Sequence, residues 1–482
     1  MNSSDASAPL RAVVIGGGIA GLTAAYRLHT IAESCDKKLE LTLLEASDRF
    51  GGVIKTEAHD GLVIERGPES LVTEKPWGLE LCRELGLEDE IIPTTREHAG
   101  SFVAHGNRLH PLPEGFHLMA PSRFWPFATT RLLTIGGKLR MAADIVIPRR
   151  DSNGDESLGA FVRRRLGREA LERVAQPMVG GIYSADPDRL SLRATMPRFL
   201  DMEHKYGSVI RGMLAARRAR DSAASARGPR YDLFVSLTNG LEDIPRELAR
   251  RLPKETLHTG CRVSIVHREA NTWRIECGEH SYVADALCIA TPSYVAATML
   301  RTVTPELADE LDAIEHSSSA TVNLVYRRED VPAALSGFGF VVPAIERRTV
   351  MACTFSSFKY RGRSPEDKIL LRAFVGGALA PENFSLDDQA MASAVQHDLS
   401  QLSGLSAAPI ETVISRYPRS MPQYHVGHLD RMDRIDAQLS GLPGLSLAGN
   451  AYRGTGLPDC IRSGNSAAHS MASLLGLSPP TD

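Results

Sequence analysis

No stretch of this chain is apolar for long enough to cross a bilayer: a spanning helix needs about 20 such residues, and polar residues interrupt every hydrophobic run. The opening Met1-Asn2-Ser3-Ser4-Asp5-Ala6-Ser7 lacks a basic patch leading into an apolar run, so no secretory leader is expected. Cys35, Cys82, Cys261, Cys277, Cys288, Cys353 and Cys460 form no Cys-x-x-Cys pair and no metal-ligand cluster. Their odd number and scatter suit a reducing compartment, with most of them acting as small buried hydrophobes. No metal is expected, and the expected location is the cytoplasm. Charge excess is also missing; a formal net charge of -3 argues against nucleic acid as the main partner, though it hides local basic patches. Repeats are absent too. What is present is length: 482 residues are too many for one small core, so two or three lobes are expected.

Ala12-Val13-Val14-Ile15 runs into Gly16-Gly17-Gly18-Ile19-Ala20-Gly21, and Leu22-Thr23-Ala24-Ala25-Tyr26-Arg27-Leu28 continues with helical composition. Strand, Gly-x-Gly-x-x-Gly turn and helix in that order bring bare backbone to a helix N-terminus, where a diphosphate binds. Gly16 permits the tight turn, Gly18 leaves room for the phosphates, and Gly21 lets helix and strand pack closely. A second strand, Leu39-Glu40-Leu41-Thr42-Leu43-Leu44, ends on Glu45, placed to accept hydrogen bonds from a ribose. Polar Glu33-Ser34-Cys35-Asp36-Lys37-Lys38 lengthens the usual spacing and reads as an extra loop. Glycine turns alone are common. Strand, glycines and acid together imply a bound dinucleotide.

The next residues choose among dinucleotides. Ala46-Ser47-Asp48-Arg49-Phe50-Gly51-Gly52-Val53 follow the acid, and Glu65-Arg66-Gly67-Pro68-Glu69-Ser70 follow a further strand. A nicotinamide dehydrogenase has no need of a second glycine pair there. An enzyme enclosing an extended FAD does, because backbone must pass beside the diphosphate and ring system. Arg49 would then neutralise phosphate charge. In isolation Gly51-Gly52 is an ordinary turn and Arg49 a solvated charge; after this fingerprint the FAD reading is preferred.

Strand-rich segments recur far along the chain. Phe234 to Leu241 precedes a helix reaching Arg251, and Cys261 to Val266 pairs with Trp273 to Cys277 as a hairpin. Ala286-Leu287-Cys288-Ile289 is an apolar strand stopped by Pro292, and Leu445-Ser446-Leu447 runs into Gly449-Asn450. The expected fold is mixed α/β, with a discontinuous Rossmann-like FAD-binding domain built from 10–70, 231–300 and 430–478. Inserted in it are a substrate-binding domain (71–91, 199–230 and 301–429) and a helical lobe (92–198). In that lobe Phe116-His117-Leu118-Met119-Ala120-Pro121 and Phe124-Trp125-Pro126-Phe127 lie beside Arg123 and Arg131, with Lys138, Arg140, Arg149 and Arg150 following. This mixture suits an anionic bilayer surface or, more plainly, an amphipathic core helix with solvated charges. Ala215 to Gly228 reads as a mobile loop.

Two longer motifs are more specific. Pro177-Met178-Val179-Gly180-Gly181-Ile182-Tyr183-Ser184-Ala185-Asp186-Pro187-Asp188-Arg189-Leu190-Ser191 resembles the central substrate-site segment of the FAD-dependent porphyrinogen oxidases of haem biosynthesis, within the flavin amine oxidase superfamily. Gly449-Asn450-Ala451-Tyr452-Arg453-Gly454-Thr455-Gly456-Leu457-Pro458-Asp459-Cys460-Ile461 is similar to their closing flavin motif. The resemblance covers nearly the whole chain. It implies FAD contacts at Gly16, Gly17, Gly18, Ile19, Ala20, Gly21, Glu45, Ala46 and Val53. It extends them to Gly67, Pro68, Glu69, Ser70, Val263, Asn450, Thr455, Gly456 and Leu457. For Val263 the plainer reading is strand burial. Gly181 corresponds to the glycine beside which the reacting carbon passes, although a tight turn in Gly180-Gly181 would look the same. Glu69 is implied beside the reacting ring as proton acceptor or electrostatic partner; holding backbone next to FAD is the plainer role.

The implied chemistry is porphyrinogen to porphyrin in three two-electron rounds, with dioxygen reoxidising the flavin and hydrogen peroxide formed. It needs no Ser-His-Asp set, and none is assembled in the motifs. Implied partners are the tetrapyrrole, dioxygen, a peripheral membrane surface and other haem-pathway enzymes. Ser101 stands where animal-type enzymes carry an arginine linked to a substrate carboxylate. Gly67-Pro68-Glu69-Ser70 resembles the Gly-Pro-Asp-Ser of soluble Gram-positive enzymes, and Leu109-His110-Pro111-Leu112-Pro113 also looks bacterial. These departures favour coproporphyrinogen III over protoporphyrinogen IX. An amine oxidase would show an aromatic cage where Tyr452-Arg453-Gly454-Thr455 stands, and a carotenoid desaturase would lack the Pro177 to Ser191 segment. A non-catalytic module, like prenyl-GTPase escort proteins, would have no use for Gly51-Gly52 and the closing motif.

Overall fold

A strand that is apolar on both faces belongs in a sheet covered on both sides. Leu10–Ile15 is that strand: it lies at the centre of an all-parallel sheet, in the order Leu257–His258, Leu39–Leu44, Leu10–Ile15, Ala286–Ile289, Leu445–Leu447. In the computed structural model, residues 9–113, 116–117, 120–121, 124–150, 154–224, 233–333 and 335–477 are described. The opening Met1 to Ser7 therefore lies outside the described residues. Side-chain alternation divides the central strand between two cores. Ala12 and Val14 face the core shared with the helices Ile19–Ser34 and Leu457–Leu474, while Val13 and Ile15 face the three-stranded hairpin sheet Val263–Glu269, Thr272–Cys277, His280–Ala284. This is the expected α/β arrangement, assembled from distant pieces of chain.

The second large sheet is mixed and seven-stranded. Its order is Glu411–Pro422, His316–Arg327, Lys368–Gly376, Val350–Thr354, Gly339–Val341, Ser101–His105, Arg108–Pro111. Ala320, Val322, Leu324, Leu371, Ala373 and Val375 bury one face against the helix Asp388–Ser403. Period-2 alternation turns Thr321, Asn323, Arg372 and Phe374 to the other face, toward the parallel-sheet domain.

Five expectations are corrected. The stretch from 92 was expected to be helical, yet Ile91–Pro93, Ser101–His105 and Arg108–Pro111 are strands. The signal was the Gly106-Asn107 turn, both residues at positive φ, which closes a two-residue hairpin. Helices begin at Phe124–Thr129, and their core also takes in Phe199, Val209, Ile210 and Met213. The stretch from Phe199 to Met213 thus packs with the helical lobe rather than with the substrate sheet. Ala215 to Ala224 continue the helix Val209–Ala224, as their Ala/Arg composition favours, instead of forming a loop. The remainder of that expected loop, 225–228, lies outside the described residues. Leu71, Leu79, Leu81, Cys82 and Leu85 join the core of the fingerprint helix, although 71–91 was assigned to the substrate domain. Finally, Cys261 and Cys277 are disulfide-bonded across neighbouring strands, leaving five free cysteines, four of them buried as expected. Among the described residues no helix is long and apolar enough to cross a membrane, and none of their His, Cys, Asp and Glu cluster as a metal site.

Candidate active site

The fingerprint turn is pinned before any ligand reaches it. Gly16 N–H donates to Leu44 O at 2.8 Å, and Gly17 N–H donates to Glu45 Oε2 at 2.6 Å. Glu45 Oε1 is held by the Ser47 amide and hydroxyl at 2.8 and 2.7 Å. Gly18 caps the helix Ile19–Ser34 in extended conformation, with no side chain bonding its first amides and no acid in its first turn. A Cβ built on Gly18 would meet nothing within 4 Å, whereas one on Gly21 would lie 1.9 Å from Gly16 O. Gly21 serves internal packing; Gly18 faces open space at the positive end of a helix. That is the geometry a diphosphate requires, and the residues present fit FAD.

The second glycine pair is built against the first. Gly51 N–H donates to Gly17 O at 2.8 Å, Gly18 and Gly51 form a parallel bridge, and a Cβ on Gly52 would sit 3.1 Å from Gly18 Cα. Both residues have positive φ, which only glycine adopts freely. Arg49 donates to the carbonyls of Phe50 and Ile54, each at 3.0 Å, and of Gly52 at 2.5 Å. Its guanidinium therefore braces this loop. Val53, 46% exposed, borders the same opening. Beyond Glu45 the backbone of Gly260 and Cys261 bonds Ser47 O and Glu45 O, which brings Val263 alongside, itself buried in its strand. Ala46 is exposed next to Glu45.

Gly67, Pro68, Glu69 and Ser70 are drawn onto the open face of the seven-stranded sheet. Thr321 Oγ1 donates to Arg66 O at 2.9 Å, Asn323 Nδ2 to Glu65 O at 3.3 Å, and Arg372 to Gly67 O. Glu69 is buried and accepts from Ser356 Oγ at 2.5 Å and Lys359 Nζ at 3.1 Å. Lys359 also donates to Ser70 Oγ at 3.0 Å, and Ser70 meets Tyr360 Oη at 2.7 Å. Burial by itself raises the Glu69 pKa, but Lys359, Arg372, the Ser356 hydroxyl and Arg363 outweigh it and hold the carboxyl at about 2. A group so acidic is an electrostatic anchor, because a general base works best near the operating pH. Lys359, Arg363 and Arg372 were not singled out from sequence. Lys359 and Arg372 bond the loop from 290 and 305 positions away, Arg363 bonds Ser236 and adds its charge beside Glu69, and no local motif announces them.

Gly181 lies within the helix Gln176–Tyr183, so it is not a turn glycine. A Cβ there would be 3.6 Å from Val341 Cγ1 and 3.9 Å from Ala352 Cβ, both ordinary contacts. Val341, Ala352, Phe374 and Thr321 form one row across four strands, each opposite the next. The row starts under Gly181 and ends at Thr321, which holds the loop that carries Gly67. Two to three interstrand steps separate these ends, roughly 10–15 Å. Gly181 and its neighbour Ile182 are exposed.

The closing motif completes the enclosure. Asn450 Nδ2 donates to Ser420 O at 3.2 Å, and Thr455-Gly456-Leu457 start the helix Leu457–Leu474. Asp459 accepts from Gly456 N–H at 3.3 Å and from Lys75 Nζ at 2.5 Å. Two helix N-termini, at Gly18 and Gly456, thus accompany the glycine loops and the Gly67 to Ser70 segment.

A model of the family "flavin containing amine oxidoreductase" matches residues 19–472. The chain belongs to this family. It is 35% identical to the coproporphyrinogen III oxidase of Bacillus subtilis (strain 168), over 94% of this chain and 96% of that one. The coproporphyrinogen III oxidase of Staphylococcus aureus is 34% identical, covering 96% and 99%. Among solved structures, a protein from Exiguobacterium sp. 255-15, provisionally described as a protoporphyrinogen oxidase, superposes with a TM-score of 0.84 at 32% identity, covering 96% of this chain and 99% of that one. The protein is an FAD-dependent oxidoreductase.

Proposed function

We propose that this enzyme oxidises coproporphyrinogen III to coproporphyrin III, using dioxygen and forming hydrogen peroxide. The observation that carries the reading is the row from Gly181 to Thr321, made by Val341, Ala352 and Phe374 beside the Gly67 to Ser70 loop. Its Gly181 end carries no side chain, which suits the close approach of a macrocycle. The likeness to two coproporphyrinogen III oxidases along nearly the whole chain supports the same substrate.

FAD, when bound, accepts hydride and passes two electrons to dioxygen. The remaining tasks fall to the chain. Val341, Ala352, Phe374 and Ile182 give an apolar wall that excludes water from the methylene bridge. Gly181 lets the ring approach. The Lys359–Glu69 pair and Arg372 fix the loop opposite, so that distance and angle are set before substrate arrives. Each round removes one methylene hydrogen as hydride together with one proton, the net loss over three rounds being four methylene hydrogens and two N–H hydrogens; three rounds consume three dioxygen molecules and yield three of peroxide.

Anaerobically prepared coproporphyrinogen III and protoporphyrinogen IX, assayed side by side for porphyrin fluorescence, test the proposal. Coproporphyrinogen is expected to turn over at least as efficiently. Activity confined to protoporphyrinogen would give the runner-up substrate, and activity with neither would overturn the reading.

The helical lobe favours a location on the inner face of a membrane. Trp125, Ile135, Leu139 and Val146 are 69–79% exposed. Arg131, Arg140, Arg149 and Arg150 are exposed around them, and the one acid between 124 and 150, Asp144, is buried against Arg165. Exposed apolar side chains set among exposed cations match an anionic bilayer surface. The lobe's expected contacts at Leu118, Met119 and Arg123 lie outside the described residues. Cosedimentation with anionic but not neutral vesicles is expected; equal failure with both would leave this face to a haem-pathway protein instead.

A further inference from the structure

The segment Gln423 to His428 touches both the substrate segment and the closing flavin motif. On one side Gln423 Nε2 donates to Tyr183 O at 3.4 Å, Ser191 N–H donates to Tyr424 O at 2.7 Å, and Val426 N–H donates to Arg189 O at 2.9 Å. On the other side, Tyr424 Oη donates to Asn450 O at 2.6 Å and accepts from Gly454 N–H at 2.8 Å. His428 stacks on the Tyr424 ring, with centroids 3.8 Å apart and planes 12° from parallel, and its Nε2 lies 2.7 Å from Tyr452 O. Both side chains are almost completely buried, at 3% and 4% exposure. One stacked pair thus holds the backbone of three alternate residues, 450, 452 and 454. The Thr455-Gly456-Leu457 entry to the closing helix follows at once.

We propose that Tyr424 and His428 are positioning residues that set the height and tilt of the closing helix N-terminus against the flavin, and couple that setting to the substrate segment. The proposal rests on the FAD site and not on the identity of the substrate. His428 Nε2 carries a hydrogen here, because a carbonyl oxygen can only accept. Burial keeps the imidazole neutral, with its pKa lowered to about 4, so the pair works unchanged across the physiological range. The physical reason for the coupling is saturation: Asn450 O, Tyr452 O and Gly454 N–H are satisfied by this pair, and a shift of either ring leaves buried polar groups unpaired. Tyr424 is also part of the helical-lobe core, so movement of the substrate segment reaches the loop through its ring.

Tyr424→Phe keeps the ring, the stack and the volume but removes both bonds of the hydroxyl. In the FAD-loaded protein the FAD dissociation constant is expected to rise about tenfold, the effect of leaving buried polar groups unsatisfied. At saturating FAD the flavin absorption band and midpoint potential are expected to shift as well, a response that a purely structural tyrosine would not give. His428→Gln, which keeps a donor for Tyr452 O, should lie between wild type and His428→Ala in both readouts. Wild-type values of affinity, absorption band and potential in Tyr424→Phe would overturn the proposal. Should His428→Ala fail to fold, the isosteric Tyr424 variant still decides.

Discussion

The two ends of the active site are built by opposite means. At the dinucleotide end, backbone predominates: Gly18 offers open space, Gly51 and Gly52 lie against the fingerprint, and the cation Arg49 is bound to its own loop. At the proposed substrate end, side chains from four neighbouring strands form the floor, and one of their residues, Arg372, holds a loop 305 residues earlier in the chain. A backbone-made site depends on a few glycines in sequence order. A side-chain-made site depends on the register of a seven-stranded sheet. The two should therefore fail separately when mutated.

The largest separation is expected from Gly18→Val. Its φ of -72° suits any residue and no protein atom lies near its Cβ, so the variant should fold. The valine would occupy the diphosphate's place, and the purified protein should be colourless. Full flavin occupancy, measured by absorbance after gel filtration, would break the placement of the cofactor.

Gly181→Val should give the mirror image. The added Cβ is accommodated, since Val341 and Ala352 are at ordinary contact distance from it. A yellow enzyme is expected whose flavin is reduced by anaerobic porphyrinogen about a hundredfold more slowly, as a displacement on the order of an ångström would cause. Normal reduction would show that the macrocycle does not pass this helix.

A smaller effect sharpens the picture of the loop between the two ends. Glu69→Gln leaves Lys359 without its counter-charge and should cost about 2 kcal/mol at neutral pH, with FAD still bound. The sign with pH follows from the depressed folded pKa. The carboxylate's contribution is complete above its ordinary value of 4.5 and is lost as pH falls from there toward 2. Denaturation curves of wild type and variant should therefore converge over that acidic window. A gap that stays constant, or a profile of activity that tracks a Glu69 pKa near neutrality, would make it a base instead of an anchor.

Legibility in the sequence divides along the same line. Gly16 to Gly21, Glu45 and Gly51-Gly52 were readable because each needs only its neighbours, and the fold stacks them together. The substrate floor was not, because Phe374 becomes a neighbour of Ala352 and Thr321 only once the sheet has its register. Lys359 and Arg372 were hidden for the same reason. The strands at 101–111 were missed although Gly106-Asn107 marks their turn, since the surrounding basic and aromatic residues drew attention to helices. Gly181 was readable as important through its motif, but whether it lay in a turn or a helix required the coordinates.

The central claim is that a porphyrinogen lying between Gly181 and the Gly67 to Ser70 loop gives up hydride to the flavin. Mixing the FAD-loaded enzyme with coproporphyrinogen III under strict anaerobiosis, while following flavin absorbance, tests it most directly. The account predicts rapid bleaching, then recovery of the yellow colour with porphyrin and peroxide release when oxygen is admitted. Flavin that stays oxidised in the presence of excess coproporphyrinogen and protoporphyrinogen would contradict it.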